Sequence, residues 1–284
     1  MSPSKFQTLV AVHELQALQS AGDPCVLLDC GFDLTDSAAG ERAHTAGHLP
    51  GAQYVHLERD LAGTQTGANG NRGRHPLPDF SNFAARAGGW GIEPGTQVVC
   101  YDDHGGIYAA RAWWLLRWLQ HAEAAVLDGG RAAWISAGGA LVTDAPRVAA
   151  KPPYPATAPA MPTVDAEALQ RQLGRVLLLD ARAPERFCGD VEPLDPVAGH
   201  IPGASNRFFK LNLTADGHFK PAAQLREEFQ QLGSAAGVVH QCGSGVTACH
   251  NLLAMAHAGL AAGALYPGSW SEWCSDPARP VVRG

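Results

Sequence analysis

One cysteine of this chain stands where a thiol can act as a nucleophile. The apolar run Val238–His240 leads to Cys242, the small residues Gly243-Ser244-Gly245 follow, and a helical pattern begins at Val246 or Thr247. In an open α/β sheet, ligands bind at the carboxyl edge of the strands. Loop N–H groups turned toward the sulfur, together with the positive end of the next helix, favour the thiolate over the thiol. The pattern predicts that Cys242 is nucleophilic at neutral pH.

The other cysteines predict no metal site. The chain has 7 cysteines, no Cys-x-x-Cys pair occurs, and zinc sites usually contain such short paired spacings. A disulfide framework is also not expected, because a chain of this size shows no secretory signal. We expect most of these thiols to be small core residues. For Cys249, a core position is the main interpretation and a resolving thiol is the alternative.

Two chemistries use a cysteine loop of this kind. Cysteine-based phosphatases place an Arg six residues after the nucleophile, where it clamps the phosphate. Ala248 occupies that position here, so phosphoester hydrolysis would lack its main stabilisation of transition-state charge. The loop is better suited to a nucleophile that takes up a second sulfur atom.

The elements around this loop predict an α/β fold with parallel sheets flanked by helices. Short, continuously apolar runs are typical of buried parallel strands, and they occur at Val26–Leu28, Val98–Cys100, Val176–Leu179 and Val238–His240. Stretches of helical length lie between them, at Val12–Gln19, Ala109–Leu119, Asp165–Leu173 and Thr247–Ala258. Alternating strands and helices indicate crossover connections within each sheet.

The chain is a tandem duplication. Four blocks recur in the same order, and the clearest pair is Gly47-His-Leu-Pro-Gly-Ala52 with Gly199-His-Ile-Pro-Gly-Ala204. Six prolines fall within residues 145–162, a composition typical of an extended connector. We therefore predict one domain over residues 1–144, a proline-rich linker over 145–162 and a second domain over 163–284.

These features together resemble the two-domain rhodanese-type sulfurtransferases, close to the thiosulfate and 3-mercaptopyruvate sulfurtransferases. The resemblance covers both halves, and it rests on Cys242-Gly-Ser-Gly-Val-Thr247, Gly47–Ala52, Gly199–Ala204, Asp180-Ala-Arg182 with Arg186-Phe187, and Tyr266-Pro-Gly-Ser-Trp-Ser-Glu-Trp273. It implies two tandem rhodanese-like domains and an enzyme that moves a sulfane sulfur through a Cys242 persulfide.

The resemblance also implies the reaction partners. A small-molecule donor supplies the sulfur, and cyanide, a thiol or a thioredoxin-like protein accepts it, with no metal or organic cofactor. Asp102 stands in the first half where Cys242 stands in the second. A carboxylate cannot carry sulfane sulfur, so the first domain is predicted to be inactive and the second catalytic.

Further site residues follow from the resemblance. The Arg at the position of Arg186 binds the anionic end of the donor in the family, while Gly243, Gly245, Val246 and Thr247 form the substrate-binding loop. In mercaptopyruvate enzymes, a His joins a loop Ser and an upstream Asp in a relay. Here His75 and Ser244 match the His and the Ser, and Glu58 stands in place of the Asp.

The sequence leaves the donor open. The uncharged Gly-Ser-Gly loop favours 3-mercaptopyruvate, because thiosulfate enzymes place cations there. Mercaptopyruvate enzymes usually carry a second Arg after a Glu-Pro pair, but Leu194 and Asp195 follow Glu192-Pro193 here. We favour 3-mercaptopyruvate and keep a thiosulfate-specific enzyme as the alternative.

Composition excludes several other classes. The net charge of −6 argues against a nucleic-acid or anionic-membrane binder, and neither a signal peptide nor a long apolar stretch is seen, so we expect a soluble, cytoplasmic protein. A cysteine-based phosphatase and a non-catalytic sulfur carrier remain the remote alternatives.

Overall fold

The computed structural model describes residues 5–67, 70–233, 237–261 and 263–284. The chain divides into two compact units. The first comprises Met1–Leu61, Pro78–Ala160 and Ala215–His218, and the second comprises Ala62–Leu77, Met161–Thr214 and Phe219–Gly284. The segment 62–77 therefore belongs with the second unit, although it precedes the proline-rich segment in the sequence.

The strands, in chain order, are β1 Leu9–Val10, β2 Cys25–Asp29, β3 Ala52–Tyr54, β4 Thr66–Gly67, β5 Gly70–Asn71, β6 Gln97–Tyr101, β7 Ala124–Leu127, β8 Leu177–Asp180, β9 Ala204–Asn206, β10 Val238–Gln241 and β11 Ala264–Leu265. All four predicted strands are present. Strands β4 and β5 form a small antiparallel hairpin within the segment 62–77.

The helices are α1 Val12–Ala21, α2 Ala39–Ala46, α3 Leu57–Asp60, α4 Phe80–Gly89, α5 Ile107–Trp118, α6 Gly130–Ser136, α7 Ala166–Gln172, α8 Pro184–Cys188, α9 Ala222–Gln230, α10 Thr247–His257 and α11 Ser269–Trp273. A short 3-10 helix spans Phe209–Asn212. The four predicted helices correspond to α1, α5, α7 and α10. No helix of the described residues is long and apolar enough to cross a membrane.

Each unit is built on a parallel sheet, as the alternation of strands and helices predicts. The order is β1-β7-β6-β2-β3 in the first unit and β11-β10-β8-β9 in the second, so β6 and β10 hold equivalent central places. The repeated turns enter equivalent edge strands, because Leu27 pairs with Ala52 and Leu178 pairs with Ala204. In the second unit, Thr163 makes an isolated parallel bridge to Leu265 in the place that β1 takes in the first. The shared topology confirms the α/β fold.

Apolar faces of strands and helices meet in a core within each unit. In the first unit this core includes Leu15, Leu27, Val99 and Trp134. In the second it includes Leu169, Leu178, Val239 and Trp270. Burial of these side chains stabilises the strands whose carboxyl ends carry the polar residues.

The proline-rich segment 145–162 contains no helix or strand, and all of its residues are described. It lies along the first unit, where Lys151 N donates to Gly88 O at 2.8 Å and Tyr154 N donates to Ala84 O at 2.9 Å. A side chain at Gly88 would collide with Pro152 O, so this glycine permits the close approach. The domain boundaries at 144 and 163 remain a prediction.

Candidate active site

The predicted nucleophile stands at the carboxyl end of the central strand of the second unit. Strand β10 ends at Gln241, Cys242 follows directly, and α10 begins at Thr247. The parallel pairing of β10 with β8 and β11 fixes the strand from both sides. Cys242 is only 2% exposed, so its thiol lies within the protein and not on an open surface.

The loop after Cys242 requires glycine at Gly245. Its φ of +76° lies in the left-handed region, and a Cβ there would stand 2.3 Å from Pro267 O. Gly243 is also crowded, because a Cβ there would lie 3.0 Å from Arg74 Nη2 and 3.4 Å from Arg186 Nη1. The Gly-Ser-Gly spacing therefore lets the loop pass beneath Pro267 and beside two guanidinium groups.

The start of α11 holds the loop backbone. Cys242 N donates to Ser269 Oγ at 3.1 Å, while Trp270 N donates to Cys242 O at 3.0 Å and Ser271 N donates to Gly243 O at 2.9 Å. Ser269 is fully buried with a φ of +53°, which is uncommon for a residue with a side chain. This contact gives a structural reason for the Tyr266–Trp273 motif, whose role in fixing the loop does not follow from the sequence.

His75 and Ser244 are brought together. His75 Nδ1 lies 2.8 Å from Ser244 Oγ, and both side chains are buried. His75 lies in the segment 62–77, and this segment approaches the Pro267–Ser271 stretch because Gly73 has no side chain: a Cβ there would stand 2.5 Å from Gly268 O. Glu58 belongs to α3 of the first unit, where it is exposed. Its part in a relay, like the catalytic roles of His75 and Ser244, stays a prediction.

Arg186 points toward the loop from α8. Its Nη2 donates to Glu192 Oε1 at 2.7 Å and to Glu192 Oε2 at 2.9 Å, and lies 3.3 Å from Asp195 Oδ2. Its Nη1 lies near Gly243, as described above. Arg186 is thus placed beside the residue that follows the nucleophile, and its donor-binding role stays a prediction.

Arg182 is placed differently. Its guanidinium is buried against Asp180, with Nη2 to Oδ2 at 2.7 Å, and its Nη2 also donates to Gly199 O at 2.8 Å. The guanidinium carbon stands 4.7 Å above the ring of Trp270. These contacts indicate that Arg182 has a structural role, connecting the end of β8 to Gly199 and Trp270.

The remaining predicted loop residues complete the turn into α10. Val246 is buried and its carbonyl oxygen accepts from Cys249 N at 3.0 Å, while Thr247 begins the helix. Ala248 occupies the position of a phosphatase arginine and is fully buried. Because its side chain is a methyl group, it offers no charge to a phosphate. Donor contacts of Gly243, Gly245, Val246 and Thr247 stay a prediction.

The first unit shows what this loop does around an anion. Asp102 follows β6 as Cys242 follows β10, and its buried carboxylate accepts four backbone N–H bonds. Oδ1 accepts from His104 at 2.7 Å and Gly106 at 2.9 Å, and Oδ2 accepts from Tyr108 at 2.8 Å and Ala109 at 2.9 Å. Loop and helix amides at the end of the central strand therefore form an anion cradle, which the first unit fills with its own side chain.

Three thiols outside the active loop, those of Cys25, Cys30 and Cys274, have raised pKa values and are held in the neutral form. Burial, reinforced by the neighbouring Cys100, raises the pKa of Cys25 to about 12. Burial also raises the pKa of Cys274 to about 11 and that of Cys30 well above its ordinary value. These thiols are poor nucleophiles at neutral pH. Within the described residues, no group of three or more His, Cys, Asp or Glu side chains could hold a metal ion.

The sequence assigns no role in the site to two residues that the structure places there, Arg74 and Asp195. Arg74 N donates to Ser271 Oγ at 3.1 Å, and its guanidinium binds the carboxylate of Asp195. The only signal for Arg74 in the sequence is that it directly precedes His75. The sequence shows Asp195 only as one of the two residues that stand where a second arginine is expected.

Comparison with known proteins gives the family of the chain. The sequence profile of the Rhodanese-like domain matches residues 11–137 and again residues 165–276. The chain belongs to the rhodanese family. It is a sulfurtransferase with two rhodanese-like domains, each a parallel sheet flanked by helices.

Similar proteins carry both donor names. A Pseudomonas aeruginosa protein, provisionally named a 3-mercaptopyruvate sulfurtransferase, is 47% identical over 97% of this chain and 98% of its own length. A Mycobacterium tuberculosis protein, provisionally named the thiosulfate sulfurtransferase SseB, is 43% identical over 99% of each chain. The solved 3-mercaptopyruvate sulfurtransferase from Leishmania major superposes with a TM-score of 0.82 at 27% identity, over 95% of this chain and 74% of that one.

Proposed function

We propose that this sulfurtransferase takes its sulfur from 3-mercaptopyruvate and carries it as a persulfide on Cys242. The observation that carries the proposal is the meeting of four elements at the turn formed by residues 242–244: the end of β10, the loop fixed by Ser269, the His75–Ser244 pair, and the Arg186 guanidinium near Gly243. Together they provide a nucleophile, a proton carrier and a cation for the donor's carboxylate.

The first half-reaction needs a proton carrier. The Cys242 thiolate attacks the donor sulfur, a new S–S bond forms, and the C–S bond breaks with its electron pair left on carbon. The proton of the donor thiol must reach that carbon to give pyruvate. The hydrogen-bonded pair of His75 and Ser244, at 2.8 Å, is suited to transfer it.

The second half-reaction returns the enzyme to its starting state. Cyanide attacks the outer sulfur of the persulfide, the S–S bond breaks, and thiocyanate leaves with Cys242 again a thiolate. A thiol accepts the sulfur in the same way and becomes a persulfide. We propose that a thiol, including that of a thioredoxin-like protein, is the acceptor in a cytoplasmic setting.

The charge of the persulfide must be balanced in a buried place. In the first unit, four backbone amides balance the carboxylate of Asp102. By analogy, we propose that the amides of the Gly243–Thr247 loop bind the persulfide sulfur. The first domain then has no transfer activity, since its cradle is filled by a carboxylate.

Thiosulfate is the second candidate donor. Its transfer releases sulfite and requires no proton transfer to carbon, and the sequence lacks the second arginine that mercaptopyruvate enzymes usually carry after the Glu-Pro pair, here Glu192-Pro193. Steady-state kinetics with both donors and cyanide decide the question, with pyruvate or sulfite measured as the product. We expect a higher kcat/KM for 3-mercaptopyruvate. A higher kcat/KM for thiosulfate would make the alternative correct.

A further inference from the structure

A second arginine stands beside the active loop, on a different segment from Arg186. A Cβ on Gly243 would lie 3.0 Å from Arg74 Nη2 and 3.4 Å from Arg186 Nη1. Arg74 comes from the segment 62–77, whereas Arg186 comes from α8. Two guanidinium groups therefore approach the residue that follows the nucleophile.

Asp195 links these two arginines. One oxygen of its carboxylate binds Arg74 Nη1, and the other lies 3.3 Å from Arg186 Nη2. Its side chain is 4% exposed, so water does little to stabilise the charge. A carboxylate bound by two guanidiniums beside the loop has the chemistry of a bound carboxylate ligand.

The cluster as a whole has no excess charge. Three arginines face three acids, since Arg182 and Arg186 also meet Glu192 and Arg182 meets Asp180. Arg186 Nε is buried without a hydrogen-bond partner among the described residues. A donor carboxylate can therefore bind the two arginines only if it displaces Asp195 from them, and a second negative charge on the donor would meet Asp195 and Glu192 without a further cation.

We propose that Arg74 is the second guanidinium that binds the donor's anionic group, and that Asp195 is an internal competitor that sets the preference for a donor with one negative charge. The inference rests on the proposed function and deepens it. Arg74 supplies from another part of the chain the cation that the sequence lacks after Glu192-Pro193. Asp195 holds the two arginines in place and yields to the donor, at a cost that falls more heavily on the dianion thiosulfate.

The experiment compares KM and kcat for both donors in Asp195→Asn and Arg74→Gln. In Asp195→Asn, we expect KM to fall about tenfold for thiosulfate and about threefold for 3-mercaptopyruvate, because the competing charge is gone. In Arg74→Gln, we expect KM to rise about tenfold for both donors while kcat changes little. Arg74→Lys keeps the positive charge but loses the planar guanidinium that can donate two parallel hydrogen bonds, so its KM should lie between those of wild type and Arg74→Gln.

Matched controls are available on α7. Glu167→Gln and Arg171→Gln make the same charge changes at an exposed pair in the same unit, and both should leave KM unchanged. Thermal unfolding shows which variants are folded, and Arg74→Lys decides the role of Arg74 if Arg74→Gln does not fold.

The outcomes distinguish failure of the Arg74–Asp195 proposal from failure of the proposed function. An unchanged ratio of the two KM values in Asp195→Asn overturns the competition, and an unchanged KM in Arg74→Gln overturns the second guanidinium. If the wild-type enzyme releases no pyruvate from 3-mercaptopyruvate, the proposed function fails instead. Binding of pyruvate to Cys242→Ser, measured by calorimetry with and without Arg74→Gln, tests the arginine without any turnover.

Discussion

The backbone N–H of Cys242 donates to the hydroxyl of Ser269 at 3.1 Å, and that hydroxyl donates in turn to Tyr266 O at 2.9 Å. One buried side chain thus connects the nucleophile to the stretch between β11 and α11. Because Ser269 adopts a left-handed φ of +53°, its conformation is maintained by this connection and not by intrinsic preference. The loop geometry depends on a residue 27 positions away.

Replacing Ser269 tests this connection. In Ser269→Ala, the Cys242 amide loses its acceptor and the left-handed strain remains, so we expect a loss of about 2 kcal/mol in the free energy of unfolding. In Ser269→Gly, the hydroxyl is also lost but the strain is relieved, so the loss should be smaller. Urea unfolding of both variants measures the difference. Equal stability of Ser269→Ala and wild type would show that the hydrogen bond does not fix the loop.

The His75–Ser244 pair should matter mainly for transfer from 3-mercaptopyruvate. Release of pyruvate needs a proton on carbon, whereas release of sulfite does not. We therefore expect His75→Ala and Ser244→Ala each to lower kcat for 3-mercaptopyruvate by about a hundredfold and to change kcat for thiosulfate by much less. Because the two side chains act as a pair at 2.8 Å, the double variant should lose little more than either single one. Equal losses with both donors would indicate a structural role instead.

Asp102 should contribute stability without contributing to turnover. Its buried carboxylate accepts four amide N–H bonds, and Asp102→Asn replaces one charged acceptor by an NH₂ group that faces donors. We expect a loss of about 2–3 kcal/mol in the free energy of unfolding. The kcat at a temperature where the variant is folded should match that of wild type. A specific loss of kcat would show that the first domain has a catalytic role and would contradict its proposed inactivity.

Glu228 should make part of the stability dependent on pH. Burial works against its charge, but hydrogen bonds from Lys220, Arg207 and Gln224 lower its pKa to about 2 from an ordinary 4.5. A lowered folded-state pKa gives stability that is present above the unfolded-state pKa and is lost as pH falls from about 4.5 toward 2. Water screens this partly exposed group, so we expect about 1 kcal/mol.

Variants of α9 measure that contribution. Between about pH 5 and about pH 2, the free energy of unfolding should change less steeply with pH in Glu228→Gln than in wild type. Glu227→Gln changes an exposed carboxylate on the same helix and should leave the dependence as it is. Identical curves for Glu228→Gln and wild type would refute the assignment.

The sequence predicts those parts of the structure that depend on local pattern. Apolar runs such as Val98–Cys100 and Val238–His240 form central strands because burial on both faces requires such runs. Cys242 could be placed at a strand end for the same reason. The repeated blocks predict the shared topology, since a duplicated pattern folds in the same way twice.

The ion network could not be predicted in this way. Arg74 and Asp195 are 121 residues apart in the chain, and no periodicity connects them. The absence of an arginine after Glu192-Pro193 was visible in the sequence, but its replacement by Arg74 depends on how the segment 62–77 packs on the Pro267–Ser271 stretch. Contacts of this range follow from tertiary packing and not from local propensity.

The central claim is that sulfur passes through Cys242. The most direct measurement is the mass of the Cys242 peptide after the enzyme is mixed with 3-mercaptopyruvate in the absence of an acceptor. We predict that this peptide gains one sulfur atom and loses it when cyanide is added. The corresponding peptide of Cys242→Ser should gain no sulfur, whereas the control Cys188→Ser should behave as wild type. Thiocyanate formation by Cys242→Ser at a rate near that of wild type, or an added sulfur on another cysteine alone, would contradict the account.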